Sequence, residues 1–368
     1  MMRSPTSFAV VVRRADGSLH VRERAMPDGR KGAAKLPLVR GIASLVESLK
    51  LGGEALRFSA EQMERDLDAA EKAASKAATS LLGVLRAIGY SLFLMMTADA
   101  DTDGPLKEEK AEASGEKKAE SAGSKLPTTI MIALMVGFLI ALPQAAAWGV
   151  KHVLKLPVDV QSPTFQAMTG GFKLVIVIGY LLIVRRAFPD IRRVFQYHGA
   201  EHKTISTYEA NEELNVENAR AKTTLHPRCG TTFLVMVALV SICVFTAVGS
   251  FLPKIDTGKE SLNQVFFFFE KLPFVPVIAA VTFEIQRVFA RWCTTGPLRI
   301  LLWPGFLVQK ITTIEPDDNQ LEVALASLKV TLLREKGVAD GGAGNTSGDV
   351  RYANFDSLMK SPRLRRAA

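Results

Sequence analysis

Long apolar runs recur through the second half of this chain, and charge-rich stretches separate them. A helix crosses a bilayer with about 20 consecutive apolar residues. "PTTIMIALMVGFLIALPQAAAW" (127–148) carries no charge, and Pro143 is placed to kink it. "FQAMTGGFKLVIVIGYLLIV" (165–184) holds one charge, Lys173, whose stem can carry its ammonium to the near interface. "TTFLVMVALVSICVFTAVGSFL" (231–252) is a third run, and "LPFVPVIAAVTFEIQRVFARW" (272–292) a weaker fourth, interrupted by Glu284 and Arg287. "PLRILLWPGFLVQK" (297–310) is too short to cross and reads as interfacial or re-entrant. "TSLLGVLRAIGYSLFLMMTA" (79–98) is nearly long enough, but Arg86 sits inside it, which is expensive at a bilayer centre. It reads as interfacial or packed on other helices.

The first part of the chain has other periodicities. Residues 7–25 alternate on either side of Asp16-Gly17, the signal of a β-hairpin. "LPLVRGIASLVESLKLGGEALRFSAEQM" (36–63) is apolar at helical spacing. Two readings stay open for it: an amphipathic helix or helix pair on the membrane surface, or an ordinary core helix of a small soluble domain. Residues 99–126 are a charged, low-complexity linker with nothing to bury. The stretch "EPDDNQLEVALASLKVTLL" opens with acids and continues with a helical stripe, which predicts a surface helix within 311–336. Residues 337–368 are expected to be disordered. The predicted organisation is an α+β cytoplasmic region (1–98), the linker (99–126), a membrane domain (127–310), a cytoplasmic helix (311–336) and a tail (337–368). The fold class is an α-helical polytopic membrane protein with about four transmembrane helices.

Charge orients this arrangement. The loop 185–230 carries eight Lys/Arg, against two in 149–164 and three in 253–271. By the positive-inside rule 185–230 is cytoplasmic, and with four spans so are both termini. The net charge of +9 does not point to nucleic acid, because the basic residues flank apolar segments instead of forming a stripe with interleaved aromatics. Cys229, Cys243 and Cys293 make no disulfide framework. The N-terminus has no continuous apolar core, so no cleavable signal peptide is expected.

The loop also holds the chain's densest chemistry. "FQYHGAEHKTISTYE" (195–209) places His198, Glu201 and His202 on one helical face. This H-x-x-E-H spacing is the inverted zincin pattern, with two imidazoles for a metal and a carboxylate as base. "LHPRCGTTF" adds His226 and Cys229 three residues apart, with Pro227 between them. Three readings compete. All four of His198, His202, His226 and Cys229 bind one Zn2+ in a closed structural site. Three of them bind and water takes the fourth place, with Glu201 accepting its proton. Or no metal binds, the histidines contact headgroups or carboxylates, and Cys229 is merely buried. Glu209, Glu213 and Glu217 are further carboxylates that could reach such a site, though each suits a solvated helix face. The pairs Arg185/Arg186 and Arg192/Arg193 suit a topology signal better than a headgroup site. Glu284 is an intramembrane carboxylate or sits at the membrane edge, and Arg287 or Arg291 would pair with it.

The segments "DIRRVFQYHGAEHKTISTYEA", "LNVENARAKTTLHPRCGTTFL" and "QKITTIEPDDNQLEVALASLK" resemble the bacterial YqhQ-like family, DUF1385. "MMRSPTSFAVVVRRADG" and "LPLVRGIASLVESLKLG" resemble its N-terminal part. The resemblance implies a polytopic membrane protein labelled as a predicted metal-dependent enzyme. Its His/Glu/His and His/Cys positions fall on His198, Glu201, His202, His226 and Cys229. A Gly-rich stretch reading like "GGQAVMEGV" precedes "MMRSP" in the family. Here either the chain starts downstream of it or this member lacks it.

Taken together, these features predict a zinc-dependent hydrolase at the cytoplasmic face of the bacterial inner membrane, with Glu201 as base. The bilayer is its partner, other membrane-protein partners stay unidentified, and no nucleic acid is expected. The alternative is a non-enzymatic scaffold or assembly factor with a structural zinc site.

Overall fold

The computed structural model describes residues 1–26, 36, 38–71, 142–159, 161–253, 257–271, 273–294, 296–339 and 348–365. It is mostly helical, with one small sheet. The hairpin forms as β2 (Ser7–Arg13) and β3 (Leu19–Ala25), paired Val11 to Val21. Gly17 takes φ +81° in the turn, where a side chain would be strained, and Asp16 Oδ1 accepts from the Ser18 amide and hydroxyl. A short β1 (Met2–Arg3) and β4 (Gly348–Tyr352) complete an antiparallel sheet in the order β1-β2-β3-β4. The tail expected to be disordered thus supplies an edge strand, then α11 (Phe355–Met359), opened by an Asn354–Ser357 capping box, and α12 (Pro362–Arg365). Leu358 is fully buried there. Sequence reasoning missed this because the strand has no partner until β3 offers an edge.

Both faces of the sheet are covered. Phe8, Val10 and Met26 pack on Leu51 and Phe58 of α1 (Val39–Glu71), so 39–63 is one continuous helix with a face on a protein core. Glu54 and Asp66 of α1 pair with Arg24 and Arg14 of the sheet. On the other face Ala9, Val11, Leu19 and Val21 meet Val323, Ala326 and Val330 of α10 (Asp318–Ala339). Ser327 and Thr331 on this helix mix with the apolar contacts: the Ser327 hydroxyl donates to Ala9 O, and Thr331 O accepts from the Ser7 hydroxyl.

The opposite side of α10, with Leu321, Ala324, Leu325 and Leu328, packs on Ala200 and Ala219, which belong to α4 (Pro189–Glu209) and α5 (Val216–Arg220). The helix expected at the surface is therefore the central one, buried on two sides because its apolar residues fall on two faces. It also carries Arg334, whose guanidinium lies 3.5 Å from Glu23 with both side chains almost fully buried. Arg334→Ala removes one side of a buried ion pair, so we expect a loss of about 3 kcal/mol, read as a fall in melting temperature in detergent.

Among the described residues, two helices are long and apolar enough to cross a membrane: α3 (Pro163–Ala187) and α6 (Gly230–Val248). They pack closely at Gly170, which lies against Ile242. A third span exists if the end of α7 (Glu260–Lys271) and α8 (Phe274–Trp292), bent by 46°, count as one. Of the expected run 127–148 only the end is described, in α2 (Leu142–Val153). Residues 79–98 and the linker 99–126 lie outside the described residues. Arg40, near the start of α1, pairs with Glu284 of α8, in place of the expected Arg287 or Arg291, and joins the sheet domain to the apolar helices. Segment 297–310 has no helix long enough to cross. It forms a 3₁₀ turn (Pro297–Leu302) and α9 (Trp303–Thr312).

Candidate metal centre

Phe188-Pro189 separates α3 from α4: Phe188 is extended and Pro189 takes the first helical position. The His-bearing helix therefore starts where an apolar helix ends. Cys229 is likewise the N-cap of α6. Both halves of the motif sit at one end of the apolar bundle, under the sheet domain.

There the ligand atoms of His198, His202 and Cys229 lie within 4.8 Å of one another. His198 Nε2 is 3.2 Å from Cys229 Sγ. The other ring nitrogens are committed. His198 Nδ1 is 3.0 Å from Thr312 O, and His202 Nδ1 is 2.5 Å from Thr224 O. A carbonyl only accepts, so each Nδ1 donates its proton there and each Nε2 is the ring nitrogen left to face the centre. Carbonyls behind the far nitrogen are what orients metal-ligating histidines.

The electrostatics agree. Burial opposes charge on Cys229, but hydrogen bonds from His198 and His202 overcome it and hold the thiol well below its ordinary range. Burial likewise opposes charge on His198, yet Cys229 and Glu201 outweigh it and raise the imidazole to about 9. A thiolate next to two imidazoles is a metal-ligand set.

His226 is buried in the same pocket but turned elsewhere. Its ring centre is 5.7 Å from that of His202, its Nε2 lies 3.2 Å from Glu209 Oε2, and its Nδ1 accepts from the Arg228 amide. Burial lowers its pKa against the pull of Glu209. Glu209 also accepts from Arg228 Nη1 at 2.8 Å. The three central residues with Glu201, Glu209 and Arg228 line a pocket of about 350 Å³. The Glu201 side chain makes no hydrogen bond among the described residues. Glu213 and Glu217 are exposed and do not line the pocket.

One buried residue that motif reading did not reach holds the floor together. Gln309 of α9 accepts from His226 N at 2.8 Å, donates to His226 O at 2.7 Å and reaches the Thr232 hydroxyl. Nothing in the local pattern marks it, except a polar residue on an otherwise apolar helix face. Gln309→Leu leaves a buried amide and carbonyl unpaired, so we expect a loss of about 2–4 kcal/mol, measured by thermal unfolding.

The family profile described as "Protein of unknown function (DUF1385)" matches residues 36–334. "Uncharacterized protein YqhQ" of Bacillus subtilis (strain 168) is 28% identical over 340 residues, 89% of this chain and 87% of that protein. No solved structure matches the chain. The family match runs from just before α1 into α10 and contains the whole pocket, and the chain belongs to the DUF1385 family.

Proposed function

We propose that the pocket is the zinc site of a hydrolase at the cytoplasmic face of a bacterial inner membrane, with His198, His202 and Cys229 as ligands and Glu201 as general base. The observation that carries this reading is three ligand atoms within 4.8 Å of one another on the floor of an open pocket. Bonds of 2.0–2.3 Å at tetrahedral angles hold ligand atoms about 3.3–3.6 Å apart, so the cluster needs only a small contraction. Two imidazoles and a thiolate suit zinc better than hard oxygen-seeking cations. Three protein ligands with a fourth position open are the pattern of catalytic sites. A zinc ion supplies Lewis acidity and makes water nucleophilic near neutral pH.

The chain's own residues do the rest. The carbonyls of Thr312 and Thr224 hold both histidines in the ligating tautomer. Glu201 lines the pocket within electrostatic reach of His198, where its carboxylate accepts a proton. His226, kept uncharged by burial and held by Glu209, forms the facing wall.

The membrane part of the reading takes about four spans, with both termini cytoplasmic and the bilayer as partner. It is supported by the apolar lengths of α3, α6 and the α7–α8 pair, and by the Lys/Arg excess of 185–230.

One observation favours the non-enzymatic scaffold. The cluster joins α4, the start of α6 and the end of α9, so a metal would staple three elements. His226 lies near enough that a side-chain turn would make it a fourth ligand. Zinc per chain, measured by elemental mass spectrometry on wild type, His226→Ala and Glu201→Gln, separates the two. The hydrolase reading expects about one zinc in all three, with turnover lost in Glu201→Gln. Zinc lost from His226→Ala would select the closed structural site.

A further inference from the structure

The described helices between α8 and α10 are too short to cross a membrane, yet this segment and Trp292 at the end of α8 carry outward apolar side chains. Ile300 is 67% exposed, Trp292 67% and Trp303 56%, and Leu298, Leu301 and Leu307 join them. Facing water, such a patch is an association liability. Its composition is that of a membrane interface: two tryptophans and aliphatic residues, with Arg291 over the Trp292 ring and Arg299 over the Phe306 ring. Such arginines lie beside apolar surface and keep their charge at the headgroups. The patch continues the outward surface of α8, where Val277 and Val288 are also exposed.

The same segment is bound to the metal centre from behind. Leu302 and Phe306 pack with Cys293 against Leu225, the residue before His226. Gln309 grips the His226 backbone, and Thr312 O holds His198. Arg185, at the end of α3, donates to Ile311 O at 3.1 Å and ties this exit to an apolar helix. Whatever depth α9 takes sets the depth of the pocket.

We propose that Trp292 and residues 297–307 lie in the headgroup layer of the leaflet nearest the sheet domain, so that the pocket opens at headgroup depth and takes an amphiphile of the bilayer as its substrate. The substrate part rests on the hydrolase reading, whereas the bilayer surface does not. Cys229 caps α6 one residue before its apolar run, so a ligand of the centre stands at the membrane boundary by construction. Arg228, exposed on the pocket lining, offers a cation to an anionic headgroup.

The chain's three tryptophans are Trp148, Trp292 and Trp303. The full chain with W148F/W292F, and with W148F/W303F, goes into bilayers of phosphatidylglycerol and phosphatidylcholine brominated either near the headgroup or near the chain end. We expect headgroup-side bromine to cut the emission of both single tryptophans about twofold, and chain-end bromine to do much less. Trp303 unquenched by either lipid would put the segment in water and overturn the proposal. Stronger quenching by chain-end bromine would make it a buried span and overturn it equally. Zinc measured on the same samples keeps the readings apart. Zinc with unquenched Trp303 removes the amphiphile and leaves the hydrolase. Shallow quenching without zinc removes the hydrolase, and the substrate class with it, and leaves the bilayer surface.

Discussion

Cys229→Ala is expected to cost the protein its metal while His226→Ala does not. On the proposed reading Cys229 is one of three converging ligands, and hydrogen bonds from His198 and His202 lower its pKa. Loss of an outer partner of a ligand weakens metal affinity by about 10–100-fold, and loss of the ligand itself costs more than that. His226 instead spends its Nε2 on Glu209 and its Nδ1 on the Arg228 amide. Chelator competition on the purified protein reads the difference directly. Equal loss in both variants would mean four ligands and a closed site. No loss in either would leave the cluster a hydrogen-bonded thiolate–imidazole group. Cys229→Ala also removes the apolar volume of a nearly buried residue at the foot of α6, so its melting temperature is measured alongside.

The second large effect is expected at a residue without functional groups. A Cβ on Gly199 would lie 2.2 Å from Ile314 O and 3.4 Å from Thr224 Cγ2. The first neighbour is backbone, held by the Ile314 N to Phe195 O bond of 3.0 Å, and cannot swing aside. Gly199→Ala therefore pushes α4 away from the 312–314 segment. That segment carries the carbonyl behind His198, and Thr224 carries the one behind His202. We expect a loss of about 1–3 kcal/mol from overpacking, and a fall in metal affinity of about 10–100-fold because both histidines lose their orientation. Thermal unfolding and chelator competition measure the two. An unchanged melting temperature would mean the close approach is not present in solution. The pair Gly199→Ala and Gly199→Ser should rank by size if sterics are the cause.

The site was more legible than the fold around it. The helical spacing of His198, Glu201 and His202 is local geometry, so three pocket residues on one helix face followed from the sequence. That Cys229 would join two of them, while His226 turned to Glu209, did not follow. His226 and Cys229 are both good ligands at compatible spacing, and the choice is made by Gln309 gripping the His226 backbone from another helix. The hairpin at Asp16-Gly17 was legible because turn chemistry and alternation are local too. The role of 318–339 was not. Its pattern reads as a striped surface helix until the sheet and α4 cover both its sides. Strand 348–352 was invisible for the same reason, since an edge strand is defined by its neighbour.

By itself the sequence determined which segments are apolar enough to span, which loop is most basic, and which side chains could meet a metal, because hydropathy, charge and helical phase are properties of consecutive residues. Only the tertiary structure decided that the two ends of the chain build one sheet domain, that His226 faces Glu209 instead of the centre, and that α9 with its exposed tryptophan holds the pocket. Those outcomes depend on contacts between residues tens to hundreds of positions apart, and no local period encodes which of several chemically suitable partners packing brings within bonding distance.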